Sequence, residues 1–344
     1  MEKRIKLFFI HILLLIFFLY NWCFPFKIII LKFLKNRYFI NVDLLGINHA
    51  LGPGILIKGI NQILPFISKK CIFFSNNFNK YFNNILKPDF YYKPRPKIEE
   101  EDYNQLVKEK LINKCILGPL FVPSHWFHFP YEKLWKEKYF SKILKSVKGV
   151  VVHSNRVRDH IINKTNNSIY LNKFFIMRPC TNIKPKQVKS FENRIFDIIF
   201  FEKYMDLNRL KQGKELLDLL KKAKKKIVLM KYGSYNKTII MKLANNSKFI
   251  IYFSFYDTGA IGLKEIQNYG VIAFTHQKDL VINNETSFYI PELASLDKIK
   301  IASEKILKII DKFSSKNPST TLIAEKNQMI NKCENALIDL CNNL

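Results

Sequence analysis

Two doubly wound parallel-sheet domains facing a cleft, an α/β architecture, is what these 344 residues predict. Three observations carry that reading. Apolar strand-like runs alternate with amphipathic stretches along most of the chain. The alternation restarts after Pro179 to Arg194, which is polar, proline-containing and aperiodic. Hydrophobic residues make up 48% of the sequence, enough for a core in each of two domains of ordinary size.

The limits follow from these breaks: 1–37 an N-terminal hydrophobic helix, 38–180 and 195–320 two Rossmann-like domains, 181–194 a linker, 321–344 a C-terminal helix. From Leu7 to Phe26 there is no Asp, Glu, Lys or Arg, which is about the length of a bilayer-crossing helix. Tyr20 and Trp22 suit a headgroup belt, and Lys27, Lys32, Lys35 and Arg37 follow it. The expectation is a single-pass, membrane-associated protein with its body on the cytosolic side. An in-plane helix from Ile28 to Leu34 or a buried core helix are the alternatives.

Tyr38 to Gly46 reads as a strand, Ile47 to Gly54 as a loop carrying Gly52 and Gly54, and Ile55 to Ile67 as a helix. Strand, glycine loop and helix make an opening βα unit, although Gly-x-Gly-x-x-Gly is absent. Lys70 to Ser75 is the next strand. Residues 88–110 read as loop or surface helix, with prolines at 88, 94 and 96 and an acidic knot from Glu99 to Asp102. Cys115 to Val122 is a strand running into Pro123-Ser-His125-Trp-Phe-His128, and a helix follows over Tyr139 to Ser146. Gly149 to Ser154 is a strand with Asn155 to Ile162 as its helix.

The second half opens with a strand at Phe196 to Phe201 and a helix near Gly213 to Ala223. Strands follow at Lys226 to Tyr232, Phe249 to Phe253 and Val271 to Phe274. Lys298 to Ile310 is a helix. Thr321 to Leu340 is an amphipathic stretch that can fold back on the first domain.

Lys and Arg number 56 against 28 Asp and Glu, a net charge of +28. Such an excess suits an anionic partner: nucleotide diphosphate, acidic lipid or nucleic acid. Lys, Asn, Ile and Phe are also abundant while Gly and Ala are few, as AT-rich coding produces, so placed charge has to carry the argument. No nucleic-acid-binding module is recognisable, and no nucleic-acid partner is expected. Six cysteines, at 23, 71, 115, 180, 333 and 341, lack Cys-x-x-Cys spacing, which predicts packed thiols and no metal site. No Gly-x-x-x-x-Gly-Lys-Ser/Thr, Gly-x-Ser-x-Gly or strand-end Asp-x-Asp is present, which disfavours P-loop ATPases, elbow hydrolases and metal-dependent single-domain glycosyltransferases.

The chemistry concentrates in Ser254-Phe-Tyr-Asp257-Thr-Gly-Ala-Ile-Gly-Leu-Lys-Glu265-Ile-Gln-Asn-Tyr-Gly270-Val-Ile-Ala273. Strand, turn, short helix, glycine exit and strand fit that order. Two carboxylates lie eight positions apart across the turn. A basic set, Lys203, Arg209, Lys211 and Lys214, follows the first strand of the same half, where cations beside a helix N-terminus suit an anionic group. The bland alternatives are solvated charges on an ordinary strand-loop-helix and four more cations on a basic surface.

This order resembles the retaining glycosyltransferases of the GT-B fold, of the glycogen-synthase-like and mannosyltransferase-like kind, over Asp197 to roughly Leu293. The resemblance implies a nucleotide-sugar donor, a glycan, lipid or protein acceptor, and no cofactor or metal. It implies that Glu265 accepts hydrogen bonds from the donor ribose and that Asp257, standing where the family has glutamate, lies beside the transferred sugar. Thr258, Gly259 and Ala260 replace the family's Gly-Phe-Gly and would let backbone N–H groups approach the donor. Lys203 or Arg209, with Lys211 or Lys214, would hold the diphosphate. His125 would face the sugar, and Gly52 and Gly54 would lie on the acceptor side. A GT-B-shaped nucleotide- or glycan-binding protein without turnover is the runner-up, and a basic nucleic-acid-binding protein the third reading.

Overall fold

The computed structural model describes residues 37–42, 53–64, 66–75, 88–94, 100–120, 137–166, 168–203, 207–231, 233–234, 236–254, 257, 259–283 and 285–344. The expected membrane segment, Leu7 to Phe26, lies outside them. Among the described residues no helix is long and apolar enough to cross a membrane.

The first half contains β1 (Tyr38–Val42), α1 (Pro53–Ile63), β2 (Phe66–Ile67), β3 (Cys71–Ser75), β4 (Phe90–Pro94), α2 (Glu100–Lys108), β5 (Cys115–Leu120), α3 (Glu137–Ser146), β6 (Gly149–Val152), α4 (Asn155–Thr165) and β7 (Phe174–Ile176). Its seven strands run in the order β2-β3-β1-β4-β5-β6-β7, parallel except for the β2–β3 hairpin. The second half contains β8 (Phe196–Lys203), α5 (Leu207–Lys222), β9 (Ile227–Lys231), α6 (Lys237–Asn245), β10 (Ser247–Ser254), α7 (Ile261–Gln267), β11 (Ile272–Thr275), β12 (Ser287–Tyr289) and α8 (Ile299–Lys316). Its five strands are parallel, in the order β12-β11-β10-β8-β9.

Both faces of the second sheet are covered, so its strands are apolar throughout rather than alternating. Ile198, Phe200, Phe249, Ile251, Phe253, Ile272 and Phe274 point one way and pack under Leu216 and Leu220 of α5 and Ile299, Ala302 and Ile306 of α8. Their neighbours Ile199, Phe201, Ile250, Tyr252 and Ala273 point the other way, onto Ile240 and Ala244 of α6 and Leu263 and Ile266 of α7. Each phenyl ring removed from water in this way contributes on the order of 2–3 kcal/mol.

Several expectations are corrected. The helix read over Ile55 to Ile67 begins at Pro53, where the ring's fixed φ suits a first helical position. It stops before Pro65, and Phe66–Ile67 pairs antiparallel with β3 instead. Within 88–110 the expected surface helix is present as α2, but Phe90–Pro94 is not loop: β4 is an internal strand between β1 and β5. Its proline sits at the strand's last position. α5 begins at Leu207, six residues before the expected start, so Arg209, Lys211 and Lys214 are helical. Gly54, expected in a loop, is the second residue of α1.

The single C-terminal stretch is two helices, α9 (Thr320–Ile330) and α10 (Cys333–Asn342). α9 stays on the second half, where Asn327 donates to the Gln267 carbonyl at 2.9 Å. α10 returns to the first half, burying Cys333, Ala336, Leu337, Leu340 and Cys341 among Ile40, Phe73 and Tyr92. The return crossing is tied to the outward one: the Thr181 N–H donates to the Asn331 carbonyl at 2.9 Å, and the Cys333 N–H to Asn182 Oδ1 at 3.2 Å. Gly270, with φ +75°, ends the α7 turn; a Cβ there would stand 2.2 Å from the Thr320 carbonyl oxygen.

Candidate functional site

The strand order of the second sheet reverses between β8 and β10, because β9 was added on one side and β10, β11 and β12 on the other. Ligands of doubly wound sheets bind outside the carboxyl ends of the strands at such a reversal. Lys203 ends β8 and Ser254 ends β10, and the two are register partners. Asp257 follows three residues on. The sequence-predicted ammonium and carboxylate therefore meet at the switch point.

They meet as an ion pair. Lys203 Nζ lies 2.5 Å from Asp257 Oδ2, with both side chains largely buried. The Tyr252 hydroxyl, reaching up from β10, donates to the same oxygen. Asp257 Oδ1 accepts from the backbone N–H of Gly259 at 3.3 Å and of Ala260 at 3.2 Å. Ala260 adopts left-handed backbone, φ 43°, and leads into α7. Burial alone would raise the Asp257 pKa; the Lys203 charge and the bonds from Lys203, Tyr252 and Ala260 outweigh it and hold the carboxyl down at about 2. Asp257 is an anion whose bonds shape the loop in front of α7.

Glu265, two turns further along the chain, is different. It is 4% exposed, and its Oε1 has no hydrogen-bond partner among the described residues. Burial lifts its pKa to about 7, with the Lys237 charge at the start of α6 opposing the rise. Unpaired buried carboxylates are costly, and a site that keeps one is poised to receive hydrogen-bond donors.

Arg209 sits inside α5 and is engaged by backbone carbonyls and side chains. Its Nη1 donates to Gln212 Oε1 at 2.6 Å and to the Leu293 carbonyl; Nη2 donates to the Ser254 carbonyl at 3.0 Å. The guanidinium stacks 4.2 Å over the Phe253 ring. Lys211 and Lys214 are exposed on the same helix. The structure thus brings Lys203 and Asp257 together, buries Arg209 behind them and leaves the two lysines on the surface. Gly52, His125 and Thr258 lie outside the described residues.

Four residues at the site were not foreseen. Tyr252 lies within the strand expected over Phe249 to Phe253, where nothing marks one hydroxyl as a ligand to a later loop. Gln277 donates to Ser254 Oγ at 2.7 Å and accepts from the Asp257 N–H at 3.1 Å, knotting the ends of β10 and β11. Arg156 and Asp279 join it across the two halves, with Arg156 Nε 2.9 Å from Asp279 Oδ2. The only sequence signal was a strand ending in Ser154 before a basic helix. Near them Lys264 is buried, donating to the Leu280 carbonyl at 3.1 Å; burial pulls its pKa down to about 7.

Among the described residues no group of three or more His, Cys, Asp or Glu is placed to hold a metal ion. All five described cysteines are buried and reduced.

No family model matches the chain, and no curated protein matches its sequence. Solved structures do. The lipopolysaccharide outer core galactosyltransferase WaaB, in its apo form, aligns over 89% of this chain and 99% of its own, at 9% identity and a TM-score of 0.50. An α,α-trehalose-phosphate synthase (UDP-forming) from Burkholderia vietnamiensis aligns over 88% and 96%, at 8% identity and 0.49. TarM aligns over 84% of this chain at 15% identity and 0.45. The chain spans 58% of TarM and 56% of the matched accessory secretory protein structure from Streptococcus pneumoniae. The WaaB likeness shows the fold: an α/β chain of two Rossmann-like parallel-sheet domains, in the GT-B arrangement.

Proposed function

We propose that this chain is a glycosyltransferase that moves a sugar from a nucleotide-sugar donor to a glycan, lipid or protein acceptor with retention of configuration. The single observation that carries the reading is Glu265, a buried carboxylate on α7 with an oxygen that has no hydrogen-bond partner among the described residues. Ribose hydroxyls are donors of the kind that oxygen lacks. The donor diphosphate would lie over the carboxyl ends of β8 and β10, near Lys203 and the Gly259 and Ala260 amides.

In this reading the bond from the sugar's anomeric carbon to the diphosphate oxygen breaks. Charge develops on that oxygen, and cations and oriented N–H groups stabilise it. The acceptor hydroxyl attacks from the face the diphosphate leaves, and its proton passes to the departing diphosphate. No metal or cofactor enters the proposal. Asp257 keeps Lys203 and the Gly259–Ala260 turn in place, and His125 would face the sugar. The apolar stretch from Leu7 to Phe26 would tether the protein to a membrane with its body on the cytosolic side. Membrane fractionation of the full chain and of a form lacking residues 1–37 tests that tether; equal solubility of the two removes it.

A donor-hydrolysis screen across nucleotide sugars, comparing the parent with Glu265→Ala, tests the reaction. Turnover falls by at least about tenfold when charged hydrogen bonds to the ribose are lost. Unchanged turnover in a folded variant contradicts the assignment. The engagement of Arg209 with the Leu293 and Ser254 carbonyls favours a second reading, a nucleotide- or glycan-binding protein without turnover. That protein would bind UDP yet release no diphosphate from any donor when an acceptor is supplied.

A further inference from the structure

Among the described residues the two halves meet at a charged contact that the glycosyl-transfer reading does not use. α4 begins with Asn155, Arg156 and Val157 behind the cap Ser154, at the carboxyl end of β6 in the first sheet. Arg156 crosses to the second half. Its Nε donates to Asp279 Oδ2 at 2.9 Å, and its Nη2 donates to the Asp257 carbonyl at 2.7 Å and to Gln277 Oε1 at 3.2 Å. Ser154, besides capping α4, donates its hydroxyl to Asp279 Oδ2 at 3.0 Å.

These acceptors are not interchangeable surface groups. The Asp257 carbonyl belongs to the residue whose carboxylate holds Lys203. Gln277 Oε1 also accepts the Asp257 N–H, and the Gln277 amide reaches Ser254 at the end of β10. One guanidinium from the first half therefore grips both flanks of the loop at the switch point, β10 to α7 on one side and the end of β11 on the other. The planar fork of arginine makes this three-acceptor geometry; an ammonium reaches fewer acceptors at once.

We infer that Arg156 is an interdomain clasp and a positioning residue: when the halves close, it fixes the loop at Asp257 and with it the Lys203 ion pair. The chain crosses between the halves where the linker and the α9–α10 junction are joined by the Thr181 to Asn331 bond. Opening about that crossing separates Arg156 from Asp279 and frees the loop. Arg156 and Asp279 side chains are 36% and 17% exposed, so the contact stays open to competing salt. The consequence for sugar transfer rests on the proposed function; the clasp does not.

Hydrogen exchange of the full chain separates the two. With Arg156→Ala, amide exchange over 254–260 and 275–283 rises on the order of tenfold, while the interior of α4 at Ile161 and Ile162 is unchanged. Arg156→Lys restores part of the protection, and raising salt toward 1 M moves the parent in the direction of the alanine variant. Asp279→Asn, which keeps shape and removes charge, gives an intermediate rise and serves if the alanine variant does not fold. Loop exchange unaltered in folded Arg156→Ala or Asp279→Asn overturns the clasp. With an active donor in hand, Arg156→Ala lowers kcat more than it raises KM. A loop that responds in a chain that turns over no nucleotide sugar upholds the clasp and removes the glycosyltransferase reading.

Discussion

Asp257 and Glu265 lie eight residues apart on one strand-loop-helix unit, and both are buried, yet their surroundings differ in every respect that sets a charge. Asp257 has an ammonium, a phenol and two backbone N–H groups, and its pKa falls from an ordinary 3.8 to about 2. Glu265 has an oxygen with no donor among the described residues and a lysine acting only at longer range, and its pKa rises from 4.5 to about 7. The first carboxylate is finished inside the fold. The second is unfinished, and a group from outside the chain would complete it. The difference separates a residue that builds a site from a residue that awaits a ligand.

Substitution breaks the pair in opposite directions. Asp257→Asn removes the carboxylate charge that faces Lys203 in a largely dry place, and costs about 3–5 kcal/mol at pH 7 by chemical denaturation. Because the folded pKa is depressed, on the order of 2–3 kcal/mol of this contribution depends on pH: that part is complete above pH 3.8 and disappears as pH falls through about 2. Glu265→Gln does the reverse. The native chain binds a proton more firmly than the unfolded one between pH 4.5 and about 7, so Glu265 lowers stability as pH rises through that window. The glutamine variant is accordingly more stable than the parent at pH 8, by up to about 3 kcal/mol, and equal to it near pH 4. Loss of stability in both variants at pH 8 would erase the contrast.

Smaller effects sharpen it. Tyr252→Phe removes one charge-assisted bond to Asp257 and costs roughly 1.5–3 kcal/mol, and the same change adds nothing in an Asp257→Asn background. Lys211→Ala and Lys214→Ala, on the exposed face of α5, move stability by less than about 0.5 kcal/mol. A large stability loss at either lysine would mean that the cationic side of the site extends onto α5 in the unliganded protein.

How much of this was legible in the sequence also differs between the halves. The second sheet is buried on both faces, so Phe196–Lys203 and Ser247–Ser254 appear as long apolar runs that a reader finds easily. The carboxylate spacing and the glycine exit at Gly270 were visible because a tight turn and a short helix fix them locally. In the first half β4 was hidden by flanking prolines, and β7, three residues long, carries too little pattern to register. The break between α9 and α10 falls at Asn331 and Lys332 with neither glycine nor proline to mark it. Which carboxylate would be paired was not legible at all, since it depends on Tyr252 and Lys203 reaching Asp257 across two strands. Arg156 and Asp279 lie 123 residues apart in sequence, and only tertiary packing brings them together.

The unfinished state of Glu265 has a direct thermodynamic signature. Donors from a bound nucleotide would favour its charged form and lower its pKa, so binding must release a proton at pH values just below 7. Calorimetric titration with UDP, ADP and GDP, repeated in buffers of different ionisation enthalpy at pH 5, 6.5 and 8.5, measures that release. The account predicts more proton released by the parent than by Glu265→Gln at pH 6.5, and no difference between them at pH 8.5. Nucleotide binding with no proton release near pH 6.5, or with the same release in the glutamine variant, would contradict it.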